Sequence, residues 1–330
     1  MKSTKTPKLL VADDYVKDAI KAVNAAKDRI CLLTMIISYD ELTKGLIDAI
    51  TNAKQRGVKV DVAVDTFTYL EIGGNLRFNT SRSQKTRSID SLKRTLKSAD
   101  IKVNWLGRDT LLILSGRTHC KWLIVDDTAY TFGGVNLYGK GVSNTDFMLR
   151  YDNKDLSDYL IKEYRRIVKA EKNKTKYRSH YFDTTIGRVL IDGGRVSDSI
   201  IYRRAKQLIA DAESVVYVSQ YCPTGKLAQL LKNKPARLYF NPWQQSTSMN
   251  ALFIRISSWR TSLKTDYSRQ PYIHGKFIIC SMPGGSKVAI TGSHNFAGGG
   301  VWLGTREIAL ETDNAKIIRQ LEDFVATHIA

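Results

Sequence analysis

Two stretches of the chain, at 117–126 and 272–281, share a pattern that constrains the fold more than any other feature. They read RTHCKWLIVD and YIHGKFIICS, each with a histidine two residues before a lysine and an apolar run after it. Residues i and i+2 of a strand point to the same face, so each stretch predicts a strand presenting a histidine beside a lysine. A pattern that occurs twice predicts two similar halves.

The first half begins with alternating helix and strand patterns. Apolar residues at three- to four-residue spacing predict a helix over 13–29, and the apolar run ICLLTMIIS at 30–38 predicts a buried strand. A second helix is predicted over 40–55 and a second strand over 58–64. This order predicts parallel strand pairs with helices on the faces of the sheet.

The second half repeats that order. A helix is predicted over 200–212, a strand over 215–221, a helix over 224–233 and a strand over 236–241, before the second histidine–lysine stretch. The sequence therefore predicts an α/β fold of two similar halves. Each half is expected to hold a mainly parallel mixed sheet flanked by helices, and a pseudo-two-fold axis is expected to relate them.

Basic segments suggest where the halves join. We expect a first half over 1–165, a basic linker over 166–185 and a second half over 186–330. The segment 162–178 reads KEYRRIVKAEKNKTKYR, which fits either a solvated helix face or an anion-binding surface. A second basic stretch at 77–94 is rich in serine and threonine and predicts a loop that leads into a helix.

The charge balance narrows the class of partner. The 330 residues carry a formal net charge of +19, with 43% hydrophobic and 25% charged residues, which is a globular composition. A charge this positive favours nucleic acid, an anionic membrane surface or a phosphate-bearing substrate as partner. Simple solubility is the alternative explanation.

Cysteine usage and hydropathy exclude several other classes. The four cysteines include no Cys-x-x-Cys pair, so no zinc site is expected, and Cys120 and Cys280 are predicted core thiols. Sparse cysteine of this kind fits a reducing compartment. No signal peptide or run of 18 apolar residues is present, so we expect a cytoplasmic protein that meets lipid only at a surface.

Each histidine–lysine stretch is followed by a glycine-containing turn with an asparagine. The turns read TFGGVNL at 131–137 and TGSHNF at 291–296. Histidine can act as nucleophile or acid, lysine supplies a fixed positive charge and asparagine supplies a neutral donor, a set that suits a phosphate oxyanion. The predicted catalytic set is His119, Lys121, Asn136, His274, Lys276 and Asn295.

The doubled pattern, His-x-Lys-x4-Asp with GGxN and then His-x-Lys with GSxN, resembles the phospholipase D superfamily. The resemblance covers nearly the whole chain, including the helix–strand unit AKQRGVKVDVAVD at 53–65. It implies that both motifs serve one site, without a metal or other cofactor. One histidine would form a phosphohistidine while the other acts as acid and then base. We take His119 as the nucleophile because its motif is intact.

The resemblance also implies supporting residues. A carboxylate about 30 residues after each motif is expected to orient a histidine, and Asp146 and Glu307 are the candidates; either could instead be an ordinary carboxylate at a strand edge. Ser293 is a further supporting candidate. Asp126 ends the first motif and is expected to be structural. The second motif has Ser281 at the equivalent position, and we expect the enzyme to be active without an aspartate there.

The patterns look most like bacterial cardiolipin synthases and related phosphatidyltransferases. Like the lipid enzymes, this chain carries both motifs, so we expect a monomer that acts as an intramolecular pseudo-dimer on phospholipid. It would lie peripherally on the inner face of the membrane, at an anionic phospholipid surface. A metal-independent nuclease and a non-catalytic phosphate-binding protein are the alternatives. Trp259 and Trp302 are candidates for insertion into lipid, with burial in the core as the alternative. His294 is a variable turn position that could line the site.

Overall fold

The computed structural model describes residues 6–69, 84–107, 116–246 and 248–330, without the side chains of residues 84–86, 248 and 249. Residues 77–83 of the basic stretch predicted at 77–94 therefore lie outside the described residues, whereas 84–94 are helical. The chain forms two compact units. The first contains residues up to 131 together with 135–143 and 148–176. The second contains 177–330 and takes two short segments from the first half, 132–134 and 144–147.

The first unit is built on a seven-stranded sheet with strand order β1-β7-β6-β5-β2-β3-β4. Its elements in chain order are β1 (Lys8–Val11), α1 (Ala12–Ala25), β2 (Arg29–Thr34), α2 (Lys44–Gln55), β3 (Lys59–Asp65), α3 (Gln84–Ser98), β4 (Val103–Leu106), β5 (Trp122–Val125), β6 (Thr128–Thr131), α4 (Gly139–Val142), β7 (Phe147–Asp152) and α5 (Lys154–Lys172).

The second unit is built on a seven-stranded sheet with strand order β11-β10-β12-β13-β14-β9-β8. Its elements are β8 (His180–Thr184), β9 (Gly187–Gly193), α6 (Ile200–Asp211), β10 (Ser214–Val218), α7 (Gly225–Lys232), β11 (Ala236–Tyr239), a 3₁₀ turn (Trp243–Gln245), α8 (Ser248–Thr261), β12 (Phe277–Ser281), β13 (Lys287–Gly292), α9 (Gly298–Leu303), β14 (Arg306–Thr312) and α10 (Ala315–His328).

The two sheets share a six-stranded arrangement. The order β1-β7-β6-β5-β2-β3 in the first unit matches β9-β14-β13-β12-β10-β11 in the second, strand for strand in chain order. The first sheet then adds β4 at one edge and the second adds β8 at the opposite edge. The prediction of an α/β chain with two similar halves is therefore confirmed.

Parallel pairing is less extensive than the sequence suggested. The strand–helix–strand units do give parallel pairs, namely β2–β3, β3–β4 and β10–β11. The pairs β2–β5, β5–β6 and β6–β7 are antiparallel, as are their counterparts from β10–β12 to β13–β14. Short turns join β5 to β6 and β12 to β13, and a turn of that length permits only antiparallel pairing. The sheets are mixed, as predicted, but not mainly parallel.

Each unit has its own apolar core. In the first, Val16 and Val23 of α1 and Ala26 just after its end are buried in the core, with Ile20 partly buried. In the second, Ile201, Ala205 and their neighbours on α6 pack against the other sheet. Full burial of a side chain of this size stabilises the fold by about 1.5–3 kcal/mol, so these stripes fix the helices on the sheets.

Regular structure enters the segment predicted as a linker, 166–185. Helix α5 continues to Lys172, and its amino end is capped by Asn153, whose side chain accepts the Leu156 N–H at 2.8 Å. Strand β8 begins at His180. None of the helices within the described ranges is both long and apolar enough to cross a bilayer.

Candidate active site

The first motif lies directly before β5. His119 and Lys121 occupy the extended segment that leads into Trp122, so they precede the strand and do not lie within it. His119 is 9% exposed and Lys121 is 1% exposed. The Lys121 ammonium donates a hydrogen bond to the His119 carbonyl at 2.9 Å. A buried ammonium next to the histidine places a fixed positive charge where water screens it little.

The second motif has the same local conformation. His274 and Lys276 directly precede β12, and both are buried. The Lys276 ammonium donates to the His274 carbonyl, which repeats the lysine-to-histidine contact of the first motif. The predicted similarity of the two stretches thus extends from sequence to hydrogen bonding.

A buried carboxylate holds the ring of His274. Asp146 Oδ2 lies 2.7 Å from His274 Nδ1, and Asp146 Oδ1 accepts the N–H groups of Gly134 at 3.1 Å and Phe147 at 2.8 Å. Burial opposes ionisation of Asp146, but the hydrogen bond from His274 and the charges of His274 and Lys276 prevail and lower its pKa. Because an ionised Asp146 only accepts, Nδ1 of His274 carries a proton.

Backbone contacts bring Asp146 to His274. The Thr145 carbonyl accepts the N–H groups of His274 and Gly275, both at 3.0 Å. Gly134 allows the close packing, because a side chain there would lie 2.7 Å from both Asp146 Oδ2 and the His274 carbonyl oxygen. The sequence identified Asp146 as an orienting carboxylate but did not predict that its partner is the histidine of the second motif.

The two motif asparagines have different surroundings. Asn136 is 3% exposed, and within the described part of the chain its Oδ1 has no hydrogen-bond partner. Asn295 is partly buried, and Ser219 Oγ donates to its backbone carbonyl at 2.9 Å. A buried amide atom without a protein partner is costly, so Asn136 has unused capacity to bind a ligand.

Glu307 and Ser293 lie together in a buried acidic cluster. Ser293 Oγ donates to Glu307 Oε2, and Glu307 pairs across the sheet with Asp192. Asp192 accepts Ser199 Oγ at 2.5 Å and the Ile200 N–H at 2.8 Å. Burial, with the charge of Glu307 adding to it, raises the pKa of Asp192 to about 7. Sequence reasoning missed Asp192, because nothing in its strand distinguishes it from a surface carboxylate.

His294, treated above as a variable turn position, is 2% exposed. Its Nδ1 accepts the Phe296 N–H at 2.8 Å, so the proton of the neutral ring is on Nε2. Burial lowers the pKa of His294, which keeps the ring neutral at pH 7. No acceptor for Nε2 is present among the residues that the structure describes.

Asp126 supports the scaffold of the first unit. Its carboxylate accepts the N–H groups of residues 27–29 at 2.9–3.0 Å, which ties the turn after β5 to the turn before β2. Ser281 stands in a different setting, because β12 extends through it and pairs it with Ser214 and Lys287. The position is a turn in one unit and a strand in the other.

A side chain at or just after the end of a parallel strand anchors each motif. Asp65 ends β3, and its carboxylate accepts the Thr118 N–H at 2.7 Å and the Arg117 guanidinium at 3.1 Å. Asn241 follows β11, and its amide exchanges two hydrogen bonds with the Ile273 backbone, at 2.7 and 2.8 Å. Thr118 and Ile273 each directly precede a motif histidine. Sequence reasoning placed these strands but missed both anchors.

Comparison with known proteins finds relatives of the segment that holds the first motif. A family model described as "Cardiolipin synthase, PLD-like domain" matches residues 19–168. The chain is also 23% identical over 175 residues to cardiolipin synthase B of Salmonella typhimurium, which covers 51% of this chain and 40% of that protein. The first half of the chain, which includes the first motif, therefore matches a phospholipase D-like domain. The match to cardiolipin synthase B spans well under half of that relative's length.

Solved structures match the fold of this chain over nearly its whole length. Phosphatidylserine synthase of Haemophilus influenzae matches with a TM-score of 0.70 at 14% identity, covering 98% of this chain and 87% of that one. Polyphosphate kinase of Porphyromonas gingivalis matches with a TM-score of 0.59 at 12% identity, covering 96% and 49%. At these identities the likeness shows the fold alone.

Proposed function

We propose that this chain transfers or hydrolyses a phosphodiester of a phospholipid, as a cardiolipin synthase-like phosphatidyltransferase or a phospholipase D. The observation that carries the proposal is the buried His274–Asp146 pair beside Lys276, which gives a histidine of fixed tautomer next to a fixed positive charge. The match of residues 19–168 to a cardiolipin synthase, PLD-like domain and the similarity to cardiolipin synthase B support phospholipid as the substrate class.

In the first step, we propose that His119 attacks phosphorus. A nitrogen–phosphorus bond forms and the bond to the leaving alcohol breaks. His274 gives its Nε2 proton to that alcohol. Asp146 stabilises the imidazolium of His274 before this transfer, because a buried carboxylate on Nδ1 favours the charged ring. The lysines and asparagines of the motifs would neutralise the non-bridging phosphate oxygens.

In the second step, an incoming alcohol or water attacks the phosphohistidine. His274 takes the proton of the incoming oxygen, a new phosphorus–oxygen bond forms and the bond to His119 breaks. An alcohol gives transfer and water gives hydrolysis. Both histidines are thus required for each turnover, and we propose that a monomer supplies them, with no metal or cofactor taking part.

The proposed location is the inner face of the membrane, reached from the cytoplasm. A net charge of +19 would attract the chain to an anionic phospholipid surface. The same charge favours nucleic acid, so a metal-independent nuclease is the second candidate.

Parallel assays test the proposal. The purified chain is incubated with phosphatidylglycerol vesicles and, separately, with single- and double-stranded nucleic acid, with a chelator present throughout. Release of glycerol or formation of cardiolipin is expected. Nicking of nucleic acid without lipid turnover would overturn the lipid assignment in favour of the nuclease. Turnover of neither substrate would favour a non-catalytic phosphate-binding protein.

Matched histidine variants make the assay specific. His119→Asn and His274→Asn are each expected to abolish lipid turnover while the thermal unfolding transition persists. The control is His180→Asn, in edge strand β8, which should retain full activity. Equal loss in all three variants would mean that the assay reports on folding and would count against the assigned roles.

A further inference from the structure

Helix α8 of the second unit exposes an apolar surface. Its large apolar side chains Leu252, Phe253, Ile256 and Trp259 are 59%, 40%, 44% and 80% exposed. On the opposite side Ile254 is buried in the core of the unit. A helix that is apolar on two faces is expected to have both faces shielded from water. The exposed face of α8 therefore has the composition of a surface that binds a partner.

The corresponding helix of the first unit has the opposite outer chemistry. Helix α3 follows β3 as α8 follows β11, and it buries Ile89, Leu92 and Leu96. Its exposed positions hold Arg87, Asp90, Lys93, Arg94 and Lys97. The shared topology therefore accepts a polar outer face at this position, and the apolar face of α8 is a property of the second unit alone.

Cationic side chains accompany the apolar ones. Residues 248–261 contain Arg255 and Arg260, both exposed, and no acidic residue. Beside α8 runs a groove of about 580 Å³ whose walls include Phe253, Ile256, Arg260 and Lys232. Apolar walls with cations at their edge match a phospholipid, which carries acyl chains beneath an anionic phosphate.

Direct contacts link α8 to the second motif. Tyr221 Oη donates to Asn250 Oδ1 at 3.1 Å, and the ring centroids of Tyr221 and Phe253 are 5.2 Å apart. Two residues earlier, Ser219 Oγ donates to the carbonyl of Asn295 at 2.9 Å. One short segment after β10 thus contacts both the helix and the turn that holds a predicted catalytic asparagine.

We propose that α8 docks on the surface of an anionic phospholipid bilayer, with Leu252, Ile256 and Trp259 inserted among the lipids and Arg255 and Arg260 against the phosphates. This inference rests on the proposed function, because it names the surface through which a lipid substrate is met. A bilayer fits better than a second copy of the chain, because two copies packed through this face would bring their arginines together, whereas anionic headgroups neutralise them.

Vesicle binding by the full chain tests the proposal. Wild type and Ile256→Ser/Trp259→Ser are sedimented with vesicles of phosphatidylglycerol and phosphatidylcholine. Loss of the two inserted side chains is expected to weaken binding about tenfold or more. Arg255→Gln/Arg260→Gln should reduce the preference for phosphatidylglycerol vesicles over pure phosphatidylcholine vesicles. Added salt should weaken vesicle binding of the wild type more than that of this variant, because the variant lacks the two screened charges.

The control replaces an exposed apolar residue elsewhere. Leu42 of the first unit is 43% exposed, and Leu42→Ser is expected to bind vesicles as wild type does. All variants should keep the wild-type melting temperature, because they alter exposed positions. Wild-type vesicle binding by Ile256→Ser/Trp259→Ser would overturn the proposal. A wild-type dimer in solution that this variant converts to a monomer would also overturn it, in favour of self-association.

A soluble substrate separates this proposal from the proposed function. Turnover of bis(4-nitrophenyl) phosphate needs no bilayer, so the α8 variants should hydrolyse it at the wild-type rate. If the α8 variants turn over the soluble diester normally and also bind vesicles as wild type does, the docking proposal is refuted and the proposed phosphodiester chemistry stands. If vesicle binding depends on α8 but no diester is turned over, the proposed function is refuted and the docking proposal stands.

Discussion

His274 Nδ1 lies 2.7 Å from Asp146 Oδ2, although the two residues are 128 positions apart in the chain. The carboxylate that follows the first motif in sequence is thus a partner of the second motif histidine. Residues 144–147 belong to the second compact unit, so the contact lies within that unit. This pair sets the tautomer of one proposed catalytic histidine.

Replacement of Asp146 should impair chemistry more than folding. In Asp146→Asn the amide oxygen can still accept the Gly134 and Phe147 N–H groups, but no charge stabilises the imidazolium of His274. We expect kcat on phosphatidylglycerol to fall by about 100-fold or more, by analogy with carboxylates that orient catalytic histidines. Steady-state kinetics across pH should show both limbs of the profile displaced to lower pH, because the imidazolium of His274 has lost the carboxylate that favours it.

The control for Asp146 is Asp155→Asn, which changes an exposed carboxylate in the first turn of α5. It should retain wild-type kcat and pH profile. An Asp146→Asn enzyme with wild-type kcat and pH profile would show that the contact plays no part in the reaction.

The anchor at Asp65 should matter for stability. Asp65→Asn leaves the Arg117 guanidinium buried without its carboxylate, and breaking a buried pair costs about 3–5 kcal/mol. We expect the free energy of unfolding, measured in urea, to fall by that order. Asp127→Asn removes a partner from an exposed pair with Arg29 and should cost less than about 1 kcal/mol. Equal losses in the two variants would contradict the anchoring role.

Asp126 should prove structural. Asp126→Ala leaves three N–H groups of the turn before β2 without their acceptor, so we expect a loss of about 1–3 kcal/mol in unfolding free energy. Turnover measured well below the melting temperature should stay within about twofold of wild type. Ser281→Asp should not raise turnover, because that position is paired in β12. A large gain from Ser281→Asp would mean that the missing aspartate had weakened the reaction.

Asp192 should make stability depend on pH near neutrality. Its folded-state pKa is about 7, whereas an unfolded aspartate titrates near 3.9. Between these values the folded state keeps a proton that the unfolded state has lost, so the stabilisation present below pH 4 is lost as pH rises to 7. Melting temperatures at pH 5 and 8 should therefore differ less in Asp192→Asn than in wild type. Identical pH profiles for the two proteins would contradict this.

Periodicity and the doubled motif were sufficient to predict the α/β class, the two similar halves and the helix stripes such as that of α1. They could not predict the balance of parallel and antiparallel pairing. A strand pattern records burial, whereas pairing direction depends on the length of each connection. Residues 126 and 127 are enough to turn β5 into β6, and this forces the antiparallel pair.

The motif residues were predicted from spacing, but their partners were not. His274 and Asp146 are distant in sequence, and the backbone contacts of Thr145 bring them together. Asp65 and Asn241 end ordinary strand patterns, so their bonds to the segments before the motifs leave no local signal. The sequence likewise did not predict the burial of His294, because a histidine in a turn is usually expected at the surface.

Trapping the covalent intermediate is the most direct test of a phosphohistidine on His119. The enzyme is mixed with phosphatidylglycerol, quenched in base within one turnover, digested and analysed by mass spectrometry. We expect an acid-labile phosphatidyl group on His119, which is absent from His119→Asn and strongly reduced in His274→Asn, because the first step then lacks its acid. Efficient lipid turnover without a histidine adduct on either motif would contradict this expectation.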